Sequence, residues 1–88
     1  MKQSEIAYHM KQKMNQNGRD SVWYGDIQMI EECAEECGVI QSHPKKTIKA
    51  VLNALDRSPL FIKSYIFADI NGSKRKYRCF SIVEKAED

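Results

Sequence analysis

Asn71-Gly72 is the feature that most constrains how this chain folds. The pair stands between two β-prone runs, and both residues tolerate the positive φ that the centre of a two-residue hairpin turn demands. A hairpin implies a register. With Asn71 and Gly72 as the central turn residues, Phe67 pairs with Lys76, Tyr65 with Arg78, Lys63 with Phe80 and Phe61 with Ile82. Side chains alternate along a strand, so the register also sorts them into two faces. One face holds Leu60, Ile62, Ile66, Tyr77, Cys79 and Val83, and is expected to be the core. The other holds Phe61, Lys63, Tyr65, Phe67, Lys76, Arg78 and Phe80, cationic and aromatic together. Cover by helix one or by a partner subunit is the alternative for its aromatics, above all for Phe61 and Phe80.

The rest of the chain reads as three helices and a small strand. Ser4 is expected to cap helix one, whose apolar stripe is Ile6, Met10 and Met14, and Asn17-Gly18 ends it. Ser21 to Tyr24 is a short β-prone run. Asp26 is expected to cap helix two, with Ile27, Ile30, Ala34 and Cys37 on its buried face and Cys33 beside them. Gly38 supplies a left-handed C-terminal cap. Ser42 is expected to cap helix three, Pro44 fits its first turn, and Ile48, Val51, Leu52 and Leu55 form its stripe. That helix runs to about Arg57, where Ser58-Pro59 stops it. The hairpin strands span Leu60 to Ala68 and Lys76 to Val83, and Ala86 to Asp88 reads as a frayed tail. With no repeats or linkers, residues 1–88 form one domain with a core at about 4–83.

Charge divides the chain. From Asp26 to Cys37 there are five acids (Asp26, Glu31, Glu32, Glu35, Glu36) and no base. From Ser42 to Ile82 there are nine bases (Lys45, Lys46, Lys49, Arg57, Lys63, Lys74, Arg75, Lys76, Arg78) and two acids, Asp56 and Asp69. Such a dipolar molecule acts through local fields more than through its net charge of +2. The glutamates of helix two read as a solvated face.

Several function classes find no footing. No apolar run reaches membrane-spanning length, and Met1 to Arg19 is too polar for a secretory signal. Three cysteines, Cys33, Cys37 and Cys79, suit a reduced, cytoplasmic protein. Cys33 and Cys37 lie one helical turn apart, with Cys79, His9 and His43 as conceivable co-ligands. Zinc motifs place paired cysteines closer, so these read as small core residues and no metal is expected. With no nucleophile elbow, P-loop or Gly-rich phosphate cradle, neither an enzyme nor a cofactor is expected.

Ala34 and Gly38 stand where a helix-turn-helix needs a small packing residue and a turn glycine, and Ile48 and Val51 follow on the next helix. With the order helix, small strand, helix, helix, strand, turn, strand, the stretch from Ser4 to Val83 resembles the winged helix-turn-helix superfamily. The resemblance implies an α+β fold of three helices, a small strand and a C-terminal β-hairpin wing. The turn at Val39 to Ser42 exceeds the compact helix-turn-helix by about four residues, a length that winged members accept. Pro44 to Leu55 is also similar to the recognition helix of Z-DNA-binding winged domains. Those carry an Asn and a Tyr where this chain has Lys49 and Asn53, and the proline-rich wing is missing, so Z-form recognition is not expected.

The resemblance implies double-stranded DNA as partner and a small bacterial, phage or plasmid transcriptional regulator as function. Helix three would enter the major groove with Lys46, Lys49, Ala50 and Asn53, flanked by His43, Lys45 and Thr47. Lys reaches guanine acceptors and phosphates, and Asn pairs bidentately with adenine. Asn71, Lys74 and Arg75 at the hairpin tip, with Lys76 and Arg78 behind them, would hold phosphates or the minor groove. With no ligand-binding domain appended, any signal is expected through a partner, oligomerisation or expression level. A winged protein-interaction module, using the acidic helix and the exposed aromatics, is a second reading. Binding of RNA or single strands by the aromatic, basic hairpin is a third. A homodimer or a protein partner is compatible with each.

Overall fold

Six elements follow one another in the computed structural model, which describes residues 3–83: α1 (Gln3–Gln16), β1 (Ser21–Trp23), α2 (Ile27–Cys37), α3 (Pro44–Asp56), β2 (Phe61–Ile70) and β3 (Ser73–Ile82). The expected frayed tail, Ala86 to Asp88, lies outside the described residues. Three helices pack on a three-stranded antiparallel sheet of order β1-β3-β2, an α+β architecture.

The helix ends show what local chemistry decides. Ser4 lies inside α1 and is not its cap. Asp26 precedes α2, yet its carboxylate makes no capping bond. It accepts from the Trp23 backbone N–H at 3.0 Å and from the Arg19 guanidinium at 2.9 Å, closing the β1–α2 turn. Beyond Cys37, Gly38 sits at φ 71°; its N–H donates to Glu35 O, and that of Val39 to Ala34 O. These two bonds satisfy carbonyls that the helix end leaves open. His43, not Ser42, caps α3. Pro44 forces the residue before it into extended backbone, and His43 at φ −126°, ψ 134° thereby has the N-cap conformation. Its Nδ1 accepts from the Lys45 N–H at 3.2 Å.

The hairpin keeps the expected register at every pair named from the sequence. Asn71 (φ 54°) and Gly72 (φ 79°) form the turn. The ladder continues to Ile70 opposite Ser73, so both strands reach ten residues and run closer to the turn than their β-prone segments suggested.

At the base of the hairpin the helical core takes the face of Phe61 and Phe80, the alternative of cover by helix one, although Leu60 of the expected core face still packs against the core and Cys79 is buried. Phe80 is fully buried and Phe61 nearly so, both within the core cluster with Ile6, Met10, Met14, Val22, Ile30 and Leu55. Val22 stands opposite Phe80 and points the same way. Ile62, assigned to the core, is 58% exposed. The cause is partial cover. The helices reach only the proximal half of the long hairpin, where this face carries Phe61 and Phe80. Farther out, the same face carries Lys63, Tyr65, Phe67 and Lys76, all exposed. The opposite face has its own small cover: Trp23 packs edge-on against Tyr77 at 5.7 Å, and Cys79, paired with Trp23, is buried.

Ion pairs join α1 to α2. Lys13 Nζ lies 3.1 Å from Glu36 and 3.3 Å from Glu32, and His9 Nε2 hydrogen-bonds Glu36. Two of the four outward glutamates therefore fasten helices together. Bonds from His9 and Lys13 hold the Glu36 carboxyl below its usual range. Ile27, expected on the buried face of α2, is 41% exposed because it is the first helical residue and stands beyond the packed turns.

Candidate nucleic-acid interface

The distal half of the hairpin extends beyond the core, and a cleft of about 580 Å³ lies between it and α3. β1 pairs only with Cys79 to Ser81, so the edge of β3 from Ser73 to Arg78 stays open toward this cleft. Lys45 and Lys49 line it from α3, and Asn71, Arg75, Lys76 and Arg78 from the hairpin. The one acid on its wall is Glu31 of α2, so five cations face one carboxylate. Tyr24, Ile27 and Tyr77 add apolar surface, and Tyr24 and Tyr77 pack at 5.3 Å. A concave, cationic wall with a partly apolar floor raises the local potential and attracts a polyanion.

The candidate residues divide into two groups. Lys45, Lys49, Asn71, Arg75, Lys76 and Arg78 come together around the cleft. His43, Lys46, Thr47, Asn53 and Lys74 do not line it. Among the described residues, Lys45, Lys46, Lys49, Lys74 and Arg75 form no ion pair or side-chain hydrogen bond, so their charges are available to a ligand. Lys76 lies 4.6 Å over the Tyr65 ring, a cation–π contact that leaves the ammonium at the surface.

Asn53 and Arg78 are committed to each other. Arg78 Nη1 donates to Asn53 Oδ1 at 3.0 Å and to Asp56 Oδ2 at 3.0 Å. Lys63 Nζ approaches the other Asp56 oxygen at 3.3 Å. Burial alone would raise the Asp56 carboxyl, but the bonds from Arg78 and Lys63 outweigh it and hold the group below its usual range. This cluster locks the hairpin to the C-terminal end of α3, and it fixes the angle of the cleft. Nothing in the sequence spacing brings Asp56 to Arg78; only the packing of the Phe61 and Phe80 face on the core does.

Thr47 differs more sharply from its expected place. It is 2% exposed, accepts from the Gln41 N–H at 2.8 Å and donates to His43 O at 3.5 Å. It pins the turn between α2 and α3. The signal was present: Thr47, Val51 and Ala54 follow helical spacing, and all three are buried. His43 is likewise engaged as the helix cap.

Cys33, Cys37 and Cys79 are free and buried. Burial, followed by the neighbouring Cys37, pushes the Cys33 thiol up to about 12, which makes it a poor nucleophile and a poor ligand. Among the described residues, no group of three His, Cys, Asp or Glu side chains is placed to hold a metal ion. No helix among them is long and apolar enough to cross a membrane.

No protein-family model, no curated protein and no solved structure matches this chain.

Proposed function

We propose that this chain is a winged helix-turn-helix protein that binds double-stranded DNA and serves as a small cytoplasmic transcriptional regulator. The observation that carries the reading is the cleft between α3 and β3, where Lys45, Lys49, Arg75, Lys76 and Arg78 face Glu31 alone. The N-terminal half of α3 enters the major groove with Lys45, Lys46 and Lys49. The hairpin lies along the backbone with Lys74, Arg75 and Lys76. Asn53 has its carbonyl oxygen occupied by Arg78, so pairing with adenine through both ends of its amide requires that bond to open. The lysines therefore carry most of the contact, and backbone affinity exceeds base selectivity.

A second reading rests on a different observation. Tyr65 and Phe67 are 50% and 76% exposed, and Lys63 and Lys76 lie near the Tyr65 ring. Exposed rings between cations stack on unpaired bases, which suits RNA or single-stranded DNA. Competition separates the two. A labelled duplex of genomic fragments is bound at low salt, then challenged with unlabelled duplex, single-stranded DNA and RNA. Duplex DNA is expected to compete best. If single strands displace the probe more effectively than duplex, the hairpin rings and not α3 make the principal contact.

A further inference from the structure

The order β1-β3-β2 leaves β2 as the outer strand of the sheet for its full ten residues. We propose that this edge pairs with the same edge of a second copy, antiparallel, to form a six-stranded sheet through a two-fold axis at Ile66.

The hairpin dictates which peptide groups are available. In a two-residue turn the flanking residues, here Ile70 and Ser73, exchange backbone bonds. Even-numbered residues of β2 therefore turn their N–H and C=O groups toward β3, as the bond from Val83 N to Leu60 O at the far end shows. Lys63, Tyr65, Phe67 and Asp69 turn theirs to the open edge. A second β2 strand meets them only in a register that pairs odd residues with odd.

Among such registers, side-chain chemistry selects one. With Ile66 opposite its own copy, Tyr65 faces Phe67 of the second chain, Ile62 faces Ile70, and Lys63 faces Asp69. The two-fold axis repeats every pair, so the only two charges of the strand neutralise each other twice over. Centring on Tyr65 sets Lys63 against Phe67, and centring on Phe67 sets Asp69 against Tyr65. Like most proteins, a stable chain guards an open edge with proline, a bulge or unmatched charge. β2 has no proline or glycine, and its charges match across this axis. Its exposed rings, Tyr65 and Phe67, are those the pairing covers. Lys63 keeps Asp56 as its own-chain partner and meets the second carboxylate with the same ammonium. The cleft opens along β3, on the opposite edge of the hairpin, so the pairing leaves it accessible. The inference does not depend on nucleic-acid binding.

The test is sedimentation of the full chain over a range of concentrations, without nucleic acid, alongside cysteine cross-linking. Wild type is expected to sediment as a dimer that dissociates on dilution. Phe67→Pro removes one outward N–H from each chain without touching the bonds to β3, and is expected to weaken dimerisation roughly tenfold or more. Asp69→Lys, which sets a second cation against Lys63 of the other copy, is expected to do the same. Ile66→Cys is expected to form a disulfide-linked dimer on mild oxidation, because it lies opposite itself at a closely spaced pair. Tyr65→Cys and Phe67→Cys are expected to cross-link with each other and far less with themselves. A wild-type chain that stays monomeric at high concentration overturns the proposal. So does a dimer unaffected by Phe67→Pro, or one whose cross-links favour another register.

Discussion

Phe80→Ala separates the observed orientation of the hairpin from its opposite. Phe80 is fully buried at the centre of the helical core, opposite the buried Val22. Removing a buried phenyl ring forfeits its transfer free energy and leaves a cavity, about 3–5 kcal/mol together. A chain of 88 residues has a total stability of roughly 4–13 kcal/mol, so the variant keeps a fraction of it at best. Phe67 lies on the same face, four cross-strand pairs nearer the turn, and is 76% exposed. Its truncation costs about 0.5–1 kcal/mol, mostly through strand propensity. Urea unfolding at 15 °C, followed by far-ultraviolet circular dichroism, reads both on one scale. Phe80→Leu serves as a milder step, at about 1.5 kcal/mol or less. Equal losses for Phe80→Ala and Phe67→Ala would show that the helices do not cover this face, and the geometry of the cleft would fall with it.

Other perturbations probe the remaining contacts. Gly38→Ala is expected to destabilise by about 1–2 kcal/mol through the left-handed backbone alone, since an added Cβ meets no atom within 4 Å; thermal unfolding checks it. Asp56 and Glu36 have carboxyl groups held below their usual values of 3.8 and 4.5, so each adds stability that is present above that value and lost as pH falls through the lowered one. Asp56→Asn and Glu36→Gln should therefore lower the thermal midpoint at pH 7, and the difference from wild type should shrink as the pH falls below those two values. Cys33, pushed up to about 12, should resist alkylation at pH 8 in the native protein and react once urea unfolds it.

Register and element order were legible in the sequence because each rests on a local rule. Asn71-Gly72 permits few turns, and a two-residue turn leaves no freedom in pairing. The stripe Ile48, Val51, Leu52 and Leu55 is equally local, and it is buried. Facing was not legible. Both sides of the hairpin mix apolar and polar residues, and the choice depends on how far the helices reach along it. The presence of Phe61 and Phe80 at the base and lysines at the tip was compatible with either side. The caps were lost to competition: Trp23 N–H and Arg19 take the Asp26 carboxylate, and Pro44 moves the N-cap of α3 to His43. Of the site, the lysines of α3 and the basic hairpin were visible as composition. The pairing of Asn53 and Arg78 through contacts far apart in sequence was not.

The salt dependence of duplex affinity tests the cleft most directly. Each phosphate neutralised by a cation releases counterions and adds about 0.9 to the slope of log affinity against log salt. With Arg78 partly engaged by Asp56, Lys45, Lys46, Lys49, Lys74, Arg75 and Lys76 should give the wild-type protein a slope of up to roughly −5. Lys49→Ala combined with Arg75→Ala should flatten it by roughly two units, with circular dichroism unchanged. A slope near zero for the wild type, or one that the double substitution leaves unaltered, would contradict phosphate binding in the cleft.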